Sequence, residues 1–236
     1  MLKVCLNGGV QRSDHPAVPV TPEELAADAG RCRAVGAGAA HIHPRAPDGG
    51  ESIAAADVAA AVSAVRAACP GLPVGVSTGA WIEPDPGLRA ATVVSWTVLP
   101  DFASVNWHEP GAVAVAEALL AHGVGVEAGI WTVEAATAFR EWSGADTCTR
   151  VLVEMMDQDA ERALATADAV LELVGDLGPP PLLHAEGPAV WPVLARAVER
   201  GLDTRIGLED TLTLPDGSRA AGNADLVEAA VRQGAR

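Results

Sequence analysis

The sequence predicts an α/β protein, a single-domain (β/α)8 barrel of the TIM type. Three observations lead there. A short strand-like segment followed by a longer apolar-periodic one recurs eight times over residues 1–236. Each strand has one β-branched, apolar face and one small or polar face, with the polar members toward its C-terminal end. The first strand runs into Asn7-Gly8-Gly9-Val10 rather than the GxGxxG turn that opens a doubly wound sheet.

In chain order, strands are predicted over 3–7, 38–43, 73–77, 102–106, 123–127, 150–154, 181–184 and 204–208. Helices are predicted over 22–35, 55–68, 86–96, 111–121, 133–142, 159–175, 188–200 and 223–233. The first helix opens with Thr21-Pro22-Glu23-Glu24: a cap, a first-turn proline and first-turn acids. Pro84 and Pro86 crowd the start of the third, and Val93-Val94 within it reads partly as strand. Asp157 and Asp159 are expected to cap the sixth helix, and Asn223 the eighth. No linker-like composition break divides the chain.

Phase assigns the faces. His41 and His43 oppose Ala40 and Ile42; Ser77 opposes Val76; Ser104 and Asn106 oppose Ala103 and Val105. Glu127 opposes Val126, Glu154 opposes Val153, and Arg205, Gly207 and Glu209 oppose Ile206 and Leu208. The polar set points into a closed barrel, at the end where barrel enzymes place their active sites.

Composition narrows the function. Hydrophobic residues make up 49% of the chain, enough for a sizeable core, and 31 acidic against 16 basic residues leave a net charge of −15. A field of that sign repels nucleic acid and anionic membranes. Lys3 is the only lysine and stands at the extreme N-terminal end, which argues against Schiff-base chemistry. Cys5, Cys32, Cys69 and Cys148 are scattered, with no CxxC pair, so neither a structural zinc site nor a disulfide framework is expected. With no signal-like start and no run of 18 apolar residues, a soluble cytoplasmic protein is expected.

His41-Ile42-His43 projects two imidazoles side by side from one strand, about 7 Å apart at the backbone, a pattern suited to a divalent metal. A hydrogen-bonded histidine pair is the competing reading. Glu209, at the end of strand eight, can approach them across strand one. Two His, one Glu and an open position would make a catalytic site for Zn²⁺ or another divalent metal such as manganese or cobalt. Arg205 must be paired inside a barrel, by Asp210, Glu154 or a bound carboxylate. Gly207 leaves room for a substrate or for the arginine itself. Ser77-Thr78-Gly79 and Asn7-Gly8-Gly9 offer donors for carboxylate or carbonyl oxygens. Asn7, Ser77, Thr78, Asn106 and Glu127 are the substrate-binding candidates. Trp81, Trp107 and Trp131 follow strands three, four and five and either wall a substrate-tail pocket or pack between loops. His108, Glu109, Glu154 and His184 are further mouth residues without an assigned role.

These residues together resemble the β-keto acid cleavage enzyme family, the group that includes 3-keto-5-aminohexanoate cleavage enzyme. The stretches that carry the resemblance are NGG at 7–9, HPAVPVTPEELAADAGRCRAVGAGAAHIHPR at 15–45, STG at 77–79, SVN at 104–106 and RIGLEDTLTLPDGSRAAGNADLV at 205–227. The resemblance implies a TIM barrel with Zn²⁺ on His41, His43 and Glu209. It implies an Arg205–Asp210 dyad that activates the substrate, and a pocket lined by Ser77 and Asn106. The implied reaction condenses a β-keto acid with acetyl-CoA as cosubstrate, and a retro-Claisen step then releases acetoacetate and a new acyl-CoA. The chain departs from the family by being shorter, mainly in its middle and loops. The residue that pairs a substrate amine is replaced near Val10, which argues against the aminohexanoate substrate, and the tryptophans point to an apolar or neutral acyl tail. Arg12, Arg45 and Arg89 are the candidates for CoA phosphates, and a homo-oligomer is expected. The alternatives are a metal-dependent hydrolase or aldolase-like lyase that uses no CoA, and a binding protein on a decayed barrel.

Overall fold

A computed structural model describes all residues 1–236. Eight strands, β1 (Leu2–Cys5), β2 (Ala39–Ile42), β3 (Val74–Ser77), β4 (Phe102–Asn106), β5 (Gly125–Ile130), β6 (Arg150–Met155), β7 (Pro181–Ala185) and β8 (Thr204–Ile206), alternate with helices. The helices are α1 (Pro22–Ala34), α2 (Ala55–Ala68), α3 (Pro86–Val94), α4 (Ala112–Ala121), α5 (Val133–Glu141), α6 (Ala160–Val174), α7 (Val190–Glu199) and α8 (Asn223–Arg232). The strands pair in parallel in the order β7-β6-β5-β4-β3-β2-β1-β8. A parallel bridge between Leu182 and Asp203 joins the two ends, so the sheet closes into the predicted (β/α)8 barrel. No helix is long and apolar enough to cross a membrane.

Local chemistry sets the helix starts. Thr21 and Glu24 form a reciprocal capping box before α1, and Pro22 occupies its first turn. Asp85 caps α3 and Asp159 caps α6, each accepting two backbone N–H groups. Asp157 instead pairs with Arg162. Asn223 does not cap α8: its side chain is buried, accepting from Leu208 N–H and donating to Leu6 C=O and to Asp28. It ties β1, the turn after β8 and α1 together.

The outward phase of the strands packs on the helices in one apolar core that includes Val4, Ile42, Val74, Val76, Val126 and Val153. The inward phase is different. Its deep half holds Lys3, whose ammonium lies 2.5 Å from Glu127 and over the Phe102 ring. Arg150 extends this network to Glu127 and Asp203, and the chain's terminal amine also pairs with Asp203. Gly75 makes room for Phe102, since a Cβ there would lie 1.9 Å from the ring.

Several strand ends differ from the sequence reading, and two of them matter for the site. β5 runs on to Ile130, so Glu127 lies in its deep half, in register with Ser104 and Arg150, not at the mouth. β8 stops at Ile206, and Glu209 and Asp210 stand on a tight turn in which both Asp210 and Thr211 donate to Gly207 C=O. Gly207 leaves no room for a ligand; a Cβ there would lie 1.9 Å from Cys5 O, so glycine is what lets β8 approach β1.

Candidate active site at the barrel mouth

A cavity of about 470 Å³ opens at the C-terminal end of the strands. His41, His43, Ser77, Ser104, Asn106, Glu154, Arg205 and Glu209 line it from the barrel, and Trp81, Trp131, Glu51 and Glu186 from the loops.

On its β2 side the two imidazoles meet edge to face, with their Nε2 atoms 3.1 Å apart. His43 is held from three directions. The Asn7 side chain grips its backbone, donating to His43 C=O at 2.8 Å and accepting its N–H at 2.9 Å. Glu51 bonds its Nδ1, which leaves the Nε2 lone pair aimed at His41 and Glu209. Trp81 lies nearly parallel to the ring and donates its indole N–H to Glu51. His41 is fully enclosed, and burial together with the neighbouring His43 keeps its pKa well below the usual histidine range, so the ring is neutral.

Glu209 completes the group. Its Oε2 is 3.6 Å from His43 Nε2 and is buried without a hydrogen-bond partner. One atom from each of His41, His43 and Glu209 falls within 4.8 Å of the others. Gly8, at φ +49°, makes the approach possible, because a Cβ there would lie 2.4 Å from Glu209 Cγ. Two imidazoles and an orphaned carboxylate oxygen converging at this separation could hold a divalent cation. A hydrogen-bonded histidine pair leaves the Glu209 oxygen unexplained.

Beside this triad Arg205 is enclosed by acids. It donates through Nε and Nη2 to Asp210 Oδ1 at 3.1 and 2.7 Å. Its Nη2 is also 3.0 Å from Glu209 Oε1 and 3.9 Å from Glu154 Oε1. Asp210 Oδ2 is buried and unpartnered. Burial pushes the Asp210 carboxyl well up against the pull of Arg205, with Glu209 and Glu186 adding to the rise. His184, buried 3.3 Å from Glu154, is lowered to about 4 by burial and Arg205. Burial raises the Glu154 carboxyl, but His184, Arg205 and Lys3 outweigh it and bring its pKa to about 2. Glu186 is pushed up to about 7, first by burial and then by Glu154.

Among the substrate-binding candidates, Ser77 and Asn106 line the cavity. Asn106 is oriented by a bond to Glu109, which also accepts from Ala80 N–H. Three candidates do not reach it. Thr78 donates to Ser104 C=O, Asn7 serves behind His43, and Glu127 is paired with Lys3 below the floor. Trp107 is likewise not a wall; it packs on Phe139 and Trp142. Arg89 is buried against Glu83 and Pro110 carbonyls and is closed to CoA phosphates. Arg45 is tied to the Gly8 and Val10 carbonyls, whereas Arg12 pairs with Glu24 at the surface.

Glu51 and Glu186 were not singled out from the sequence. A ligating histidine needs an acceptor for its other nitrogen, which would have directed attention to an acid near His43 such as Glu51. No comparable signal marks Glu186.

The chain matches the model of the beta-keto acid cleavage enzyme family over residues 1–236. The apo structure of ObcA superposes with a TM-score of 0.72 at 19% identity, covering 92% of this chain and 61% of ObcA. The ternary complex of ObcA with C4-CoA adduct and oxalate gives 0.74 at 19% identity, covering 92% and 63%. The 3-dehydroquinate dehydratase from Geobacillus kaustophilus HTA426 gives 0.62 at 12% identity, covering 100% and 92%. At these identities the structural likeness shows the barrel, and this chain spans about three fifths of the length of ObcA. With the family model matched from end to end, the chain belongs to the beta-keto acid cleavage enzyme family.

Proposed function

We propose that this protein is a metal-dependent enzyme that condenses a β-keto acid with acetyl-CoA and cleaves the adduct to acetoacetate and a new acyl-CoA. The observation that carries the reading is the unsatisfied Glu209 oxygen facing two histidine Nε2 atoms, next to the buried Arg205–Asp210 pair. His41, His43 and Glu209 would hold Zn²⁺ or another divalent cation, which supplies a Lewis acid for the keto oxygen. The complex of ObcA with oxaloacetate and its CoA-adduct complex support the substrate classes.

The protein's own groups then divide the work. Ser77 Oγ and the Asn106 amide orient the substrate's oxygens. Asp210, held as a carboxylate by its two bonds from Arg205, takes the C2 proton of the β-keto acid on Oδ2; the burial that raises its pKa makes it the stronger base, and Arg205 balances the charge that moves. The resulting carbanion attacks the acetyl thioester carbonyl and expels CoA thiolate. That thiolate adds to the original keto carbonyl, the C–C bond to C2 breaks, and the acyl-CoA leaves. The proton on Asp210 returns to the acetoacetate carbanion, so protons and thiolate balance.

The test is a pooled assay. Purified protein, acetyl-CoA and a panel of β-keto acids are incubated with and without chelator, and acyl-CoA masses are read. A chelator-sensitive acyl-CoA together with acetoacetate is expected. Cleavage of a keto acid without any thioester would replace the reading with a metal-dependent hydrolase or lyase. The burial of Arg89 and the ties on Arg45 favour that second reading, because they leave few cations for CoA phosphates.

A further inference from the structure

Five carboxylates face the cavity: Asp14, Glu51, Glu154, Glu186 and Glu209. Four are engaged by the protein. Asp14 accepts Gln11 N–H, Glu51 takes His43 and Trp81, Glu154 faces His184, and Glu209 faces Arg205. Glu186 has no hydrogen-bond or ion-pair partner for its carboxyl group. Its place is nevertheless fixed. It directly follows β7, its N–H donates to Met155 C=O at 3.1 Å, and the next residue's N–H donates to Asp210 C=O at 2.8 Å. The backbone is thus tied on one side to β6 and on the other to the turn that carries the dyad, and the side chain lies on the wall beside the reacting groups.

A carboxyl group on a cavity wall keeps its hydrogen bonds only to water or to a donor on the ligand. A hydrocarbon tail passing it would strip the water and return nothing. A tail with an O–H or N–H donor would replace the water bond for bond, while its carbon chain lay against Trp81 or Trp131.

Resting on the reaction proposed above, we infer that Glu186 reads the substrate's tail, selecting β-keto acids whose tail carries a hydroxyl or ammonium donor over plain alkyl ones. A hydroxyl tail stays within the apolar or neutral range that the tryptophans suggest, and an ammonium tail departs from it. Discrimination of about ten- to hundredfold is expected from one buried hydrogen bond made or left unmade.

Three β-keto acids of equal length, with alkyl, hydroxyl and ammonium tails, test it by kcat/KM with acetyl-CoA. Their Kd values on the zinc-loaded protein without acetyl-CoA form a second readout. The wild type is expected to favour a donor tail in both. Glu186→Leu is expected to reverse the order toward the alkyl tail. Glu186→Gln separates the two donors: it keeps a hydroxyl preference and loses an ammonium one. Equal or better performance of the alkyl tail in the wild type overturns the inference, as does an equal loss for all three tails in Glu186→Leu. If no acyl-CoA forms but the Kd order still depends on Glu186, the reaction reading fails and tail selection stands.

Discussion

The two ends of the barrel interior hold similar residues in opposite balance. In the deep half, Lys3, Arg150 and the terminal amine surround Glu127 and Asp203. At the mouth, one cation, Arg205, faces Glu154, Glu209 and Asp210. Below, each acid is paired with a cation of the chain; even Glu127 Oε1, which has no hydrogen bond, lies 3.5 Å from the Arg150 guanidinium. Above, carboxylates outnumber cations, and the surplus oxygens of Glu209 and Asp210 are buried without partners. Buried charge is tolerated only when compensated. The deep half is compensated within the protein, which is what a structural network requires. The mouth's unpartnered oxygens are what the cation of the proposed function would satisfy.

Breaking the mouth should abolish function and leave the fold. Asp210→Asn removes the proposed proton acceptor while preserving shape. Turnover in the acyl-CoA assay is expected to fall about 10²- to 10⁴-fold, with metal content unchanged. Full activity would remove Asp210 from the chemistry. Arg205→Lys is expected to fail nearly as badly, because an ammonium cannot span Asp210 and Glu209 as the planar guanidinium does.

Breaking the deep half should do the converse. Lys3→Met leaves Glu127 as an under-compensated buried charge, and a loss of about 3–5 kcal/mol in denaturant-measured stability is expected. Metal stoichiometry in the protein that remains folded should not change. A variant as stable as wild type would show that the network is not a structural one.

A smaller effect sharpens the boundary of the metal group. Glu51→Gln withdraws the carboxylate that orients His43, and zinc affinity is expected to weaken about 10- to 100-fold without loss of the site.

A further effect is in pH. His184 has a folded pKa lowered to about 4 from an ordinary value of 6.5. The unfolded chain therefore binds a proton that the folded chain refuses. Its contribution to stability is full above pH 6.5 and declines as pH falls toward 4. His184→Gln should flatten that decline in thermal melts between pH 7 and 4; an unchanged slope would assign the decline to other groups.

The barrel was legible because alternation separates two faces in nearly every strand, and the inward polar face is concentrated at one end. His41, His43, Arg205, Glu209 and Asp210 were legible as members of that face or its continuation. Errors arose where a strand lacks alternation. After Glu127 come Ala128 and Gly129, which do not read as strand; yet Gly129 must be bare, since a Cβ there would lie 2.6 Å from Asn106 Oδ1. Stopping at Glu127 promoted a deep structural acid to the mouth. Thr78 and Trp107 have the right chemistry but turn toward neighbouring elements, a choice made by packing. Glu51 lies on a local turn bridged to Arg45, where the acceptor that His43 needs was the available signal; Glu186 is placed by backbone bonds to β6 and to the turn after β8, so no local pattern reveals it.

Metal binding tests the central contrast most directly. Metal-free protein would be titrated with zinc by calorimetry, alongside His41→Ala, Glu209→Gln and Lys3→Met. One equivalent bound by the wild type and by Lys3→Met, with binding abolished in His41→Ala and strongly weakened in Glu209→Gln, is the predicted result. Absence of a stoichiometric site in the wild type, or undiminished affinity in Glu209→Gln, would contradict the claim that the mouth's surplus carboxylate belongs to a metal centre.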